Sequence, residues 1–93
     1  KIFKNHSKKL LISSIKSMIG HLLGASGSVE LISTILSIKN STIPPTINYS
    51  CKDTDCDLNY VPNDYQSKSF DYALSNSFGF GGHNSVIAVG KYK

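Results

Sequence analysis

The stretch SIKSMIGHLLGASG, residues 14–27, decides how this sequence folds. A short apolar run at Leu10–Ile12 precedes it and predicts a buried strand that ends in a polar turn. Beyond it, apolar residues recur at three- and four-residue steps as far as Lys39, namely Leu22, Leu23, Val29, Leu31, Ile32, Ile35, Leu36 and Ile38. This spacing predicts a helix over residues 22–39 that is buried around most of its circumference.

The second half of the sequence predicts a long loop and then a hairpin. Asn40, Pro44 and Pro45 end the helix, since proline lacks an amide donor and disfavours helical geometry in the residue before it. Residues 46–68 lack periodicity and predict an ordered loop with one short extended piece at residues 58–61. Two strands, residues 70–77 and 85–89, flank the glycine-rich connection at residues 78–84. The expected class is α/β, in one unit over residues 1–93, in the order strand, buried helix, long loop, two-stranded hairpin.

Small residues cluster at the start of the predicted helix, at Gly20, Gly24, Gly27 and Ser28. A glycine inside a helix costs up to about 1 kcal/mol relative to alanine. We therefore expect another backbone to approach this end of the helix closely.

Composition excludes several classes of function. The chain has 93 residues and a net charge of +4, and all ten basic residues are lysines spread along it, which argues against a nucleic-acid surface built from arginine forks. Glu30 lies in the middle of the predicted helix and would cost at least ~2.5 kcal/mol in lipid, so we expect no membrane span. Two cysteines exclude a disulfide-rich scaffold.

A zinc site built from Cys51, Cys56, His21 and His83 is one possible arrangement. The Cys-x4-Cys spacing in an acidic loop fits structural zinc patterns poorly. We therefore expect two ordinary loop cysteines, no metal site and no cofactor.

His21, Lys16 and Glu30 are the candidate catalytic residues. His21 stands at the mouth of the predicted helix, where the positive end of the helix dipole favours the neutral imidazole, which donates one hydrogen bond and accepts another. Glu30 needs a partner inside an apolar helix, and Lys16 can supply it if the preceding turn folds back. Such a pair either fixes the turn or takes part in catalysis.

The loop FGFGGHN, residues 78–84, suits an oxyanion hole better than a phosphate site. No Gly-Lys-Ser/Thr follows it, and no strand-to-helix passage surrounds it. Glycine geometry exposes backbone amides that can point at a developing negative charge. Phe78 and Phe80 would exclude water there.

Four separated blocks resemble the C-terminal end of the β-ketoacyl-[acyl-carrier-protein] synthases. They are SIKSMIGHLLGASG (14–27), IPPTIN (43–48), CDLNYVP (56–62) and NSFGFGGHN (76–84). The form with Met18 is similar to the discrete elongating enzymes of type II fatty-acid synthesis. The resemblance implies a thiolase fold, of which this chain is part of the C-terminal half.

The resemblance also implies roles for individual residues. His21 would donate a hydrogen bond to the thioester carbonyl of malonyl-carrier protein, while Lys16 and Glu30 would pair to organise the site. Phe80 would be the acyl gate and complete the oxyanion hole with its amide, and the glycines Gly79, Gly81 and Gly82 would let the loop swing. The family's nucleophilic cysteine and first catalytic histidine have no counterpart among these residues.

The function implied is that of a fragment of a 3-oxoacyl-carrier-protein synthase, which extends acyl chains by decarboxylative Claisen condensation. Its partner would be acyl carrier protein, the full-length protein would be a homodimer, and the fragment alone would be inactive. The resemblance, together with heavy use of Lys, Asn, Ile and Ser that is typical of an AT-rich genome, implies a plastid-type organelle such as an apicoplast, or a bacterial cytoplasm, over a mitochondrion. The alternative is a non-catalytic module that binds acyl chains or a partner and keeps a thiolase half-fold.

Overall fold

The helices and strands follow one another along the chain in an order close to the predicted one. The computed structural model describes residues 2–79 and 81–92. Helix α1 spans Lys16–Ile19 and α2 spans Ser26–Asn40, with short 3-10 helices at Lys4–Lys9 and Leu23–Ala25. The strands are β1 (Thr42–Ile43), β2 (Gln66–Ser67), β3 (Tyr72–Gly79) and β4 (His83–Gly90).

These elements divide between two compact units. The first unit contains the residues up to Gly20 and Ile43–Gln66, and the second contains His21–Thr42 and the residues from Ser67 onward. The first unit is loop-rich and holds α1, and the second holds α2 and the β3–β4 hairpin. Strands β1 and β2 pair with each other in a short ladder that the sequence analysis does not predict.

The predicted strand at Leu10–Ile12 is reduced to a single bridge in the first unit. Leu11 pairs in parallel with Asn59, and the N–H of Ile12 donates to the Asn59 carbonyl at 2.9 Å. Beyond this bridge the backbone bonds to a side chain instead, and the Ser14 N–H donates to Thr46 Oγ1 at 3.2 Å. A strand needs a continuous backbone partner, and the loop around Asn59 offers only one residue of pairing.

The long loop has the irregular course that its polar composition predicts. Its expected extended piece is present as bridges at Asn59 and, just beyond residues 58–61, at Pro62, which pairs with Thr46. Val61 lies between them and is fully buried. This valine anchors the loop of the first unit.

Helix α2 begins four residues later than predicted and ends close to the predicted end. Leu23 takes a left-handed backbone conformation, with φ of +52°, so residues 22–25 form a 3-10 turn instead of an α-helical one. The helix stops after Asn40, where Ser41 adopts φ of +51° and donates its N–H to the Ile38 carbonyl. A left-handed residue at this position is a common way to end a helix.

Helix α2 is buried on one face only, whereas the sequence predicts burial around most of its circumference. Ile38 is buried, whereas Ile32 and Leu36 are 57% and 50% exposed. The helix packs against the hairpin, whose β3 residues alternate between half-buried and exposed positions. Two strands cover only one side of a helix, so the prediction of all-round burial is wrong for this chain by itself.

Strands β3 and β4 form the predicted antiparallel hairpin, with a register that runs from Tyr72 opposite Gly90 to Gly79 opposite His83. The strands extend further into the glycine-rich segment than predicted, since β3 ends at Gly79 and β4 begins at His83, and Gly81 and Gly82 lie in the turn between them. Gly81 and Gly82 have φ values of +82° and +80°, a conformation that L side chains rarely adopt. The turn therefore requires glycine at both positions.

The predicted close backbone approach at the helix start has limited support. A Cβ added at Gly27 would lie 3.9 Å from Ser77 Oγ on β3, an ordinary contact, and one added at Gly24 would meet open space. Among the described residues, no helix is long and apolar enough to cross a membrane.

Candidate active site

The imidazole of His21 is held by the backbone that follows it. The N–H of Leu23 donates to Nδ1 of His21 at 2.9 Å. A backbone N–H can only donate, so Nδ1 acts as the acceptor and cannot carry a proton in this arrangement. The hydrogen-bond network therefore assigns the neutral ring its proton on Nε2, which leaves an N–H free to donate.

Ser26 completes this hydrogen-bond network. Its Oγ accepts a hydrogen bond from the Leu22 N–H at 2.8 Å and lies 3.2 Å from Nδ1 of His21. Ser26 is 8% exposed, whereas the His21 side chain is exposed. The ring thus turns Nδ1 towards the protein.

Leu23 occupies a strained backbone conformation next to His21. A φ of +52° is unusual for a residue with a branched side chain, and such strain costs on the order of 1–3 kcal/mol. It persists where surrounding interactions fix the backbone. Here the Leu23 N–H donates to the imidazole, and the left-handed turn that follows it carries the chain to Ser26, whose Oγ lies 3.2 Å from Nδ1.

The other two candidate catalytic residues, Glu30 and Lys16, belong to different units. Glu30 belongs to α2 in the second unit, and its side chain is half-buried. Lys16 is the first residue of α1 in the first unit and is also half-buried. The pairing of Lys16 with Glu30 stays a prediction.

The glycine-rich turn belongs to the same unit as His21. Gly79 ends β3, and Gly81 and Gly82 form the turn with the left-handed geometry described above. A Cβ added at Gly81 would lie 3.6 Å from Cδ2 of His83, so the His83 ring lies beside this turn. Phe80, the predicted gate and oxyanion donor, lies outside the described residues.

Two titratable side chains of the first unit, Asp57 and Tyr60, have shifted pKa values. Asp57 accepts a hydrogen bond from Lys8, whose Nζ is 2.5 Å from Oδ2, and this bond and the lysine charge lower the pKa of Asp57 below its ordinary value of 3.8. Burial raises the pKa of Tyr60 above 10.0, with a further contribution from its hydrogen bond to Cys56.

The two loop cysteines belong to the first unit. Cys51 and Cys56 are free and exposed, and both line a cavity of about 400 Å³ in the first unit. No group of three or more His, Cys, Asp or Glu side chains within residues 2–79 and 81–92 is arranged to hold a metal ion. Of the zinc ligands considered above, His21 is instead engaged by Leu23.

Solved structures with the same fold are ketosynthases. A type II polyketide synthase acyl-carrier protein in complex with its ketosynthase, bound to the hexaketide, superimposes with a TM-score of 0.87 and 42% identity, over 90% of this chain and 21% of that one. The ishigamide ketosynthase/chain length factor gives a TM-score of 0.84 at 38% identity, over 87% of this chain and 20% of that one. The fold is thus part of a thiolase-like ketosynthase fold.

Sequence similarity gives the family. The chain belongs to the β-ketoacyl synthases, since its residues 1–50 match the family described as "Beta-ketoacyl synthase, C-terminal domain". It is 51% identical over 96% of its length to 3-oxoacyl-[acyl-carrier-protein] synthase 2 of Synechocystis. It is 50% identical over 98% of its length to the Staphylococcus aureus protein of the same name. The chain spans 21% and 22% of these two relatives, about a fifth of their length.

The sequence analysis singles out His21 but not Ser26. It places Ser26 inside the predicted helix over residues 22–39, whereas Ser26 is the first residue of α2. The left-handed turn at Leu23, which brings Ser26 to His21, leaves no mark in the sequence.

Proposed function

We propose that the full-length protein containing this chain is a 3-oxoacyl-[acyl-carrier-protein] synthase that elongates acyl chains with malonyl-carrier protein. The observation that carries the proposal is the hydrogen bond from the Leu23 N–H to Nδ1 of His21. It leaves the neutral ring an Nε2–H, and a fixed neutral donor is what an enolate oxygen requires. The identity of about 50% to proteins named 3-oxoacyl-[acyl-carrier-protein] synthase 2 supports the same reaction.

In this reaction the Nε2–H of His21 donates to the thioester carbonyl oxygen of the malonyl group. The bond between the α-carbon and the carboxylate breaks, CO2 leaves, and the electron pair forms an enolate whose oxygen charge the imidazole stabilises. The enolate carbon then attacks the carbonyl carbon of an acyl thioester held on the family's cysteine, and the cysteine thiolate leaves. His21 stays neutral throughout, so its task is electrostatic.

The other candidate residues support this site. Lys16 and Glu30 organise the backbone around His21 as an ion pair. The amide of Phe80 completes an oxyanion hole for the acyl thioester, and Gly79, Gly81 and Gly82 allow the loop to open and close over the acyl chain. The φ values of Gly81 and Gly82 support a turn with exposed amides.

The partner in this proposal is acyl carrier protein. Support comes from the structural neighbour that was solved as a ketosynthase with its acyl-carrier protein. The full-length protein would act as a homodimer in a plastid-type organelle or a bacterial cytoplasm. The relatives named above are bacterial.

The test is decarboxylation of malonyl-carrier protein by the full-length protein. His21→Ala removes the donor and should lower the rate about 10²- to 10³-fold, the usual effect of losing one oxyanion donor. His6→Ala is the matched control, because His6 is an exposed histidine of the first 3-10 helix. A near-normal rate in His21→Ala would contradict the proposal and favour a non-catalytic binding module.

A further inference from the structure

Ser26 is a buried polar side chain whose position the helix alone does not explain. It is the first residue of α2, and among the described residues it is buried to 8% exposure beside the exposed His21. The N-cap position belongs to Ala25, which provides no side-chain cap. The hydroxyl of Ser26 instead points back at the residues before the helix.

The hydrogen-bonding capacity of Ser26 limits what it can do there. A hydroxyl has one hydrogen to donate and two lone pairs to accept with. One lone pair accepts the Leu22 N–H at 2.8 Å. The hydrogen remains available for Nδ1 of His21, 3.2 Å away.

Nδ1 of His21 is therefore approached by two donors. The Leu23 N–H lies at 2.9 Å and the Ser26 hydroxyl at 3.2 Å, an arrangement typical of a three-centre hydrogen bond. If Nδ1 carried the proton, its N–H would face the Leu23 N–H, donor against donor. Both contacts are satisfied together only when the proton is on Nε2.

We propose that Ser26 is a positioning residue that holds His21 in the Nε2–H tautomer and fixes the plane of its ring. It does so by donating to Nδ1 while it accepts from Leu22, which also holds the loop backbone that carries the Leu23 N–H. The expected effect of Ser26 on catalysis rests on the proposed function, whereas its expected effect on the His21 tautomer is independent of that function.

The first measurement is the tautomer itself, by long-range 1H–15N correlation of the full-length protein labelled with 15N-histidine. The His21 ring signals are assigned by their loss in His21→Ala. The wild-type ring should show an unprotonated Nδ1 and a protonated Nε2. Ser26→Ala should shift both nitrogen signals towards an average of the two tautomers, whereas Ser26→Thr, which keeps the hydroxyl, should retain the wild-type pattern.

The second measurement is the kcat and KM for malonyl-carrier protein decarboxylation. Loss of one such hydrogen bond lowers a rate that depends on it by about twofold to tenfold. Ser26→Ala should therefore lower kcat by that factor, with little change in KM. Ser28→Ala is the matched control, because Ser28 is an exposed serine in the first turn of the same helix. Circular dichroism checks that each variant folds.

The outcomes separate this inference from the proposed function. Wild-type ring signals and wild-type kcat in Ser26→Ala would overturn the positioning role. A tautomer shift in Ser26→Ala, together with normal decarboxylation in His21→Ala, would overturn the catalytic function and leave the positioning role intact. A tautomer shift with a lower kcat that Ser26→Thr restores would support both.

Discussion

The backbone N–H of Leu23 is directed at Nδ1 of His21 across 2.9 Å, although only Leu22 separates the two residues in the chain. Beyond that N–H, the left-handed φ of +52° at Leu23 turns the chain into the 3-10 helix that leads to Ser26. The N–H of one leucine thus sets which nitrogen of the imidazole is available to a ligand.

The conformation of Leu23 can be tested with glycine and proline in the full-length protein. Leu23→Gly keeps the N–H and adopts a positive φ without strain, so the decarboxylation rate should stay within about threefold of wild type. Leu23→Pro removes the N–H and fixes φ near −65°, so the rate should fall at least about tenfold. Equal rates in the two variants would show that the Leu23 N–H does not orient His21.

The hairpin turn should tolerate alanine poorly. Gly81→Ala and Gly82→Ala each place a side chain at a φ near +80°, which should destabilise the protein by about 1–2 kcal/mol. Gly24→Ala is the matched control, because an added Cβ there meets nothing within 4 Å and the backbone is not left-handed. Urea unfolding of the full-length variants measures the difference, and equal stability of all three would contradict the turn geometry.

The predicted pair of Lys16 and Glu30 can be tested by a double-mutant cycle. Lys16→Met and Glu30→Gln should each destabilise the protein, and together they should cost less than the sum of the two by about 0.5–3 kcal/mol. Lys39→Met with Glu30→Gln provides the comparison, since Lys39 lies at the far end of α2. Additive effects of Lys16→Met and Glu30→Gln in denaturant unfolding would exclude the pair.

The contact of Lys8 with Asp57 predicts a small dependence of stability on acid. Because the pKa of Asp57 is lowered below 3.8, the contact stabilises the folded state above that pH, and its contribution is lost as the pH falls through the folded-state pKa. Both side chains are more than half exposed, so the effect is small and screened by salt. Asp57→Asn should lower the Tm slightly at pH 6 in low salt, and the difference should shrink as the pH falls through the folded-state pKa. A difference that does not shrink in acid would contradict this assignment.

The sequence predicts the elements that depend on local chemistry. Pro44 and Pro45 mark the end of α2, and the alternation of residues 70–77 predicts β3. Glycines at 81 and 82 predict a turn with unusual backbone angles, which the hairpin has. Proline fixes its own φ, glycine tolerates a positive φ, and alternation marks a half-buried strand, so each signal can be read from the local sequence.

The sequence does not predict the structure where a contact with another residue determines the backbone conformation. The apolar pattern continues through Leu22 and Leu23 as if they were helical, and the hydrogen bond to His21 makes them a turn instead. The strand expected at residues 10–12 finds only Asn59 to pair with. Ser26 escapes notice because it falls inside the predicted helix over residues 22–39, and only the folded turn shows its contact with the imidazole.

The one-sided cover of α2 affects how these 93 residues behave in solution. Apolar surface that favours aggregation of a free polypeptide is exposed on the helix at Ile32, Ile35 and Leu36 and on the hairpin at Leu74 and Phe78. Preparations of this chain by itself are therefore prone to colloidal aggregation, and a lost signal in them would report insolubility before it reported chemistry. Light scattering on such samples distinguishes the two.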